Sequence, residues 1–187
     1  PDVRFDLEHL IVTNYFKDSS FSLFKSVADD DGLIKAIFVP EATGTLARKD
    51  IDGLTDVVKP FGGKGVAWFK VQDGNVSGGI AKFVDDKLLN SLQGLTSTDN
   101  GLYLFFADSK HGVTHDCADA VRRFLGAKFE LFSKDQLAFL WVNDFPLFEY
   151  DDEDGRFYAR HHPFTMPKVD EQDVFYNDNK KDLISLK

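Results

Sequence analysis

Cysteine occurs once in the chain, at Cys117, and methionine once, at Met166. A lone thiol cannot close an internal disulfide, so packing must hold the fold; a single cysteine also suits a reducing compartment. Long apolar runs are missing, and none reaches the ~18 residues of a membrane-spanning helix. Basic side chains are in short supply: Lys plus Arg number 22 against 31 Asp plus Glu, for a net charge of −9. A chain of that balance does not coat phosphate backbones with a general positive field, although a local basic patch is allowed. The opening Pro1-Asp2-Val3-Arg4-Phe5 lacks an initiator methionine, a basic stretch and an apolar stretch. It does not read as a signal peptide and looks cut from something longer.

Phenylalanine is plentiful, at 19 of 187 residues. Phe favours strands and large apolar contacts, so an antiparallel sheet with a Phe-rich inner face is expected. Hydrophobic residues at 43% and charged residues at 28% exclude disorder throughout. The length suits one domain, or one domain plus an incomplete second piece.

The pattern predicts strands at Phe21–Val27 and Leu33–Val39, joined as a hairpin through Asp29-Asp30-Asp31-Gly32. A helix follows from Arg48, with Ile51, Leu54, Val57 and Val58 at helical spacing, stopped by Pro60 and Gly62-Gly63. Gly65–Val71 reads as a strand, with Ile80–Val84 pairing back after Asp73-Gly74-Asn75. Asp85–Leu92 is a short helix capped by Asp85 or Asp86. Leu102–Ala107 is a central strand. Ser109–Leu125 is the longest helix, with apolar Val113, Cys117, Ala120, Val121, Phe124 and Leu125 near helical spacing and Gly126 as its stop. Phe139–Val142 is a further strand, and 148–159 is a hairpin turning at Asp151–Gly155. The tail after Pro167 is polar, with weak structure signals. This mixture of hairpins and helices gives an α+β class, an antiparallel sheet with helices on one face.

Several stretches invite chemistry. Gly62-Gly63-Lys64-Gly65 follows a helix and opens a strand, the reverse of a phosphate loop, so a turn accounts for it better. Lys64–Val71 partly resembles the aromatic strand of RNA-binding sheets, but Val66 and Val71 stand where stacking rings belong, which leaves Trp68 as a core or interface aromatic. His111, His115 and Cys117 lack a fourth ligand, so no metal site is expected there. The acidic run Asp151–Gly155 lacks the spacing of a calcium loop and reads as a solvated turn. His161-His162-Pro163 is more informative. Proline forces the residue before it out of helical geometry, and in an extended segment the two rings point to opposite sides. One ring can then enter a pocket while the other packs behind it.

Phe139–Glu149 (FLWVNDFPLFE) and His161–Lys168 (HHPFTMPK) resemble two segments of bacterial-type aspartyl-tRNA synthetases, a class II family. Lys59–Trp68, Ala81-Lys82-Phe83 and Leu102–Asp108 are similar to the GAD domain inserted in those enzymes. The resemblance implies a GAD insertion domain with flanking linker over residues 1–135 and a partial class II catalytic segment over 136–187. It implies a cytoplasmic ligase that condenses aspartate with ATP to aspartyl-adenylate and pyrophosphate and then transfers the aspartyl group to tRNA, with Mg in the parent enzyme and a homodimeric parent. It assigns the aspartate and adenylate contact to His161 first and His162 second, as positioning groups. No catalytic residue carries over. The class II arginine strand, the aspartate-binding segment and the glycine-rich ATP motif have no counterpart in the sequence. The chain alone is therefore expected to be inactive, to bind no cofactor, and to depend on the remainder of the catalytic domain. A GAD domain also occurs in the archaeal glutamyl-tRNA amidotransferase, so a stand-alone accessory or RNA-binding module is the alternative. Its basic surface would draw on Arg122, Arg123, Lys128, Lys64 and Lys70.

Overall fold

The computed structural model describes residues 2–143, 145–151 and 153–161. The chain divides into two units, Pro1–Ala138 and Phe139–Lys187.

The first unit is built on β1 (His9–Ile11), α1 (Ser22–Asp29), β2 (Leu33–Pro40), α2 (Arg48–Val58), β3 (Ala67–Gln72), β4 (Asn75–Ser77), α3 (Asp86–Gln93), β5 (Gly101–Asp108) and α4 (His111–Lys128). Its five strands form one sheet in the order β1-β2-β5-β3-β4, with every pairing antiparallel. The continuously apolar β5 is central, paired with β2 from Leu33↔Asp108 to Pro40↔Gly101 and with β3 from Ala67↔Phe105 to Val71↔Gly101.

Strand alternation sorts the side chains into two cores. Ile37, Val39, Leu102, Leu104 and Phe106 meet Ile51, Leu54 and Val58 of α2 and Cys117, Ala118, Val121 and Leu125 of α4. Ile34, Ala36, Phe38, Phe69, Val71, Tyr103 and Phe105 meet Phe24 of α1, Leu88 and Leu92 of α3, and Phe16. The α+β class with an antiparallel sheet is borne out. Helices nevertheless cover both faces rather than one, because every sheet residue from Leu33 to Val39 and from Gly101 to Phe106 is buried. The second core is the Phe-rich one: Phe69 lies 4.9 Å from Tyr103 and 5.5 Å from Phe105, ring centroid to centroid. Such pairs contribute about 0.5–1.5 kcal/mol each beyond burial.

Four sequence expectations require correction. Phe21–Val27 belongs largely to helix α1, not to a strand, since Phe24 and Ala28, four apart, are the residues it buries. The turn at Asp30–Gly32 therefore joins a helix to β2, with Asp31 at φ 54°. The strand returning after β3 is Asn75–Ser77, and Ala81–Phe83 is a 3₁₀ turn. Gly78 explains the early departure. Its φ is 90°, and a Cβ there would lie 2.1 Å from Cζ3 of Trp68, so the chain peels away across that indole.

Gly126 does not stop α4, which runs on to Lys128. It is buried beneath Phe5, where a Cβ would come within 2.6 Å of the ring. Phe124, among the helically spaced apolar residues, is 41% exposed. Lastly, Phe139–Val142 forms no strand; Phe139 and Trp141 are 93% and 91% exposed. The Asp85 cap is as expected, its carboxylate accepting from Leu88 N at 2.7 Å.

Candidate functional site

In the second unit, β6 (Phe148–Asp151) and β7 (Arg156–Ala159) pair antiparallel, as the sequence predicts. The acidic run between them is a turn held by one side chain. Asp151 Oδ1 accepts from Glu153 N at 2.8 Å and from Asp154 N at 3.0 Å, the Asx pattern that nucleates tight turns. Gly155 N closes it by donating to the Asp151 carbonyl at 2.9 Å.

The hairpin positions His161. Arg160 N donates to the Leu147 carbonyl at 3.0 Å, which fixes the chain leaving β7 against the chain entering β6. Leu147 is buried. The Phe145 and His161 rings then meet edge to face, with centroids 4.6 Å apart at 75°. His161 Nε2 is buried without a hydrogen-bond partner among the described residues. A buried ring nitrogen in that state is costly unless a polar group is supplied to it. An imidazole there can donate to a carboxylate or accept from an ammonium. His162, the second candidate, lies outside the described residues.

Around this hairpin the described residues do not fit an ATP–Mg site. Arg160 Nε already faces Glu149 at 3.5 Å, and Arg156 faces Asp154 at 3.3 Å. Nowhere among the described residues do three His, Cys, Asp or Glu groups converge as metal ligands would.

The other sequence candidates are dispersed. His111 Nε2 donates to the Asp31 carbonyl at 2.8 Å. Cys117 faces the core, with Sγ 3.7 Å from the Val58 carbonyl, and burial raises its pKa. The Gly62–Gly65 stretch is the expected turn, with Gly63 pressed against Val58 and Cys117.

Residues 24–117 match the GAD domain family. The chain belongs to that family. Over most of its length it is also similar to bacterial aspartate–tRNA ligases. Identity is 44% to the enzyme named Aspartate–tRNA ligase of Halalkalibacterium halodurans, over 91% of this chain and 29% of the relative. It is 40% to the one from Listeria monocytogenes, over 97% and 31%. It is 43% to the Aspartate–tRNA(Asp/Asn) ligase of Anoxybacillus flavithermus, over 95% and 30%. The chain thus spans about three-tenths of the length of these relatives.

Within the GAD unit and its flanks, the basic residues of the long helix are committed internally. Arg122 binds the carbonyls of Phe5 and Leu7, Arg123 pairs with Asp119 at 2.9 Å, and Lys128 pairs with Asp50 at 3.1 Å. Of the basic residues on which a stand-alone RNA-binding module was expected to rely, Arg122 is thereby taken up by the N-terminal segment, while Arg123 and Lys128 stay on the surface as ion pairs.

One cluster in the first unit is scarcely signalled by the sequence. Lys35, in β2, is only 7% exposed and donates from Nζ to His9 Nδ1 of β1 at 3.3 Å. Burial first, and then Lys35, push His9 down to about 4, while burial lowers Lys35 itself. His115 is lowered for the same two reasons, in the same order. Only the lysine interrupting the apolar run Leu33–Val39 hints at this in the sequence.

Proposed function

We propose that this chain is the GAD insertion domain and an adjoining catalytic segment of an aspartate–tRNA ligase. In this reading residues 1–135 are the insertion with its flanking linker, and 136–187 belong to the class II catalytic domain. The parent enzyme activates aspartate with ATP, with Mg present, and transfers the aspartyl group to tRNA. It works in the cytoplasm as a homodimer.

The observation that carries the reading is identity of 40–44% to enzymes of that name over at least nine-tenths of the chain, through both units. The unpartnered Nε2 of His161 supports it locally. A substrate carboxylate or ammonium reaching that nitrogen would satisfy it, and Phe145 would hold the ring in orientation. His161, seconded by His162, is then a positioning contact for aspartate and its adenylate rather than a nucleophile. ATP and Mg are held by parts of the catalytic domain outside the described residues. For the same reason the 187-residue chain is inactive alone.

The coding frame on either side tests this first. An arginine-bearing class II strand upstream and a glycine-rich ATP motif downstream support it; their absence from the same frame overturns it. Aspartate-dependent ATP–pyrophosphate exchange follows. The longer protein should catalyse it, and the isolated chain should not.

A further inference from the structure

The first unit contains a pocket that the ligase reading does not use. It has a volume of about 190 Å³ and is floored by Val39, Ile51 and Leu102, with Trp68 in its wall. At its polar rim stand Arg48, Lys70 and Glu41. A cavity below the ~300 Å³ typical of drug-sized ligands takes one flat ring system and leaves the rest of a ligand at the mouth.

The indole is held in place from behind its own strand. Gly78 lies so close that a Cβ there would come within 2.1 Å of the indole ring, and Gly79 packs against the Trp68 backbone, where a Cβ would lie 2.2 Å from its carbonyl oxygen. Trp68 therefore presents a fixed flat surface and loses little freedom when a ring packs on it. Arg48 is the less expected neighbour. It opens α2, the helix end where the dipole disfavours a cation, yet it makes no ion pair or side-chain hydrogen bond among the described residues. Lys70 is loosely held, with Nζ 3.1 Å from Gln72 Oε1 and 3.8 Å from Glu41 Oε1. On a chain with a net charge of −9, two under-used cations beside an aromatic wall are a local exception.

We infer that this pocket binds a nucleotide: the base packs on Trp68 above the Val39–Ile51–Leu102 floor, and the phosphate is held by Arg48 and Lys70. Glu41 accepts from ribose hydroxyls or a ring amino group, which favours a sugar-bearing ligand over a bare aromatic acid. The two sources of that chemistry are a free mononucleotide and an unpaired nucleotide of an RNA strand. The inference does not rest on the ligase reading.

The chain contains two tryptophans, so Trp141→Phe leaves Trp68 as the sole indole reporter. AMP added to this variant should quench the emission saturably. Adenosine and inorganic phosphate should each bind about tenfold more weakly or worse, since each keeps one half of the recognition. Arg48→Ala and Lys70→Ala should each weaken AMP binding about fivefold or more without changing the thermal melt. An RNA hairpin with an unpaired 3′ tail then distinguishes the sources. If it displaces AMP at lower concentration, and Arg48→Ala blunts the displacement, the ligand is a strand; if AMP binds and the RNA does not compete, it is a free nucleotide. Absence of saturable quenching by both AMP and RNA overturns the inference. Quenching indifferent to both the Arg48 and Lys70 substitutions also overturns it.

Discussion

Arg122 holds the carbonyl oxygens of both Phe5 and Leu7 while its guanidinium lies 4.1 Å over the Phe5 ring. One side chain of α4 thereby fastens the N-terminal segment to the core that α2 and α4 share with the sheet. Phe5 and Leu7 are buried and belong to the same core as α2 and α4. The Phe5 ring also stacks on Phe132, at 5.4 Å, so the segments before the sheet and after the last helix are joined there.

Arg122→Ala should cost about 2–4 kcal/mol, because two carbonyls lose a charged donor and a buried ring loses its cation. Arg122→Lys should restore less than half of that, since a point charge cannot span two acceptors as a planar fork does. Urea denaturation of the three proteins measures the difference. A lysine variant as stable as the original would show that charge alone, not the fork, holds the segment.

Gly126→Ala makes a second test of the same contact. In most helix interiors, replacing glycine by alanine stabilises by about 1 kcal/mol. Here the new methyl would meet three Phe5 ring atoms at 2.6–3.0 Å, and that ring is pinned by Arg122 and Phe132. The expected outcome is a net loss of about 1–2 kcal/mol, as for other overpacked sites. A raised melting temperature would mean that the ring yields.

The reading of Gly126 as a helix stop shows where sequence reasoning runs out. Strands β2, β3 and β5, the helices at Arg48 and Asp86, and the 148–159 hairpin were legible because alternation, capping and turn chemistry act over a few residues. Gly126 and Gly78 owe their identity to rings distant in sequence or on the neighbouring strand, Phe5 and Trp68. Helix α1 is not legible as a helix because Phe21, Phe24 and Val27 are residue types that favour strands, whereas the pair it buries, Phe24 and Ala28, lies four apart. At the candidate site, the family segments pointed to His161. The edge contact with Phe145 and the absence of a hydrogen-bond partner for Nε2 among the described residues needed coordinates. The Arg48–Trp68–Lys70 juxtaposition likewise unites α2 and β3, which no local pattern connects.

Acid should loosen the β1–β2 edge through His9. Its folded pKa, about 4, lies below the unfolded value of 6.5, so the unfolded chain takes up the proton first. The contribution is fully present above about 6.5 and is lost as pH falls towards about 4. Lys35 from β2 and His115 and Arg122 from α4 oppose the new charge; Asp119 of α4 favours it. Denaturation midpoints from pH 7.5 to 4.5 should decline less steeply for Lys35→Met, which removes the buried cation facing His9. Equal slopes for the two proteins would disprove this origin of the acid sensitivity.

The run from Phe139 to Val142 exposes Phe139, Leu140, Trp141 and Val142. Contiguous apolar surface of this kind drives association. Phe139→Ser with Trp141→Ser should lower the concentration-dependent self-association of the chain, read by sedimentation velocity. The melting of the first unit should not change, because neither residue belongs to its cores. Unchanged association would place the sticky surface elsewhere.

His161 gives the sharpest test of the proposed ligase role, and it is made in the longer enzyme. If Nε2 meets aspartate, His161→Ala should lower aspartate-dependent pyrophosphate exchange about 10- to 100-fold, the range for a lost positioning contact. The loss should fall on kcat/KM for aspartate and leave KM for ATP nearly unchanged, since the contact is to the amino acid. Phe145 touches the histidine ring, at 4.6 Å, so Phe145→Ala should reproduce the same pattern at smaller size and Phe145→Leu should recover part of it. A structural role alone would instead reduce both substrates' parameters in step with the melting temperature. Full activity in His161→Ala would remove His161 from the site and shift attention to His162.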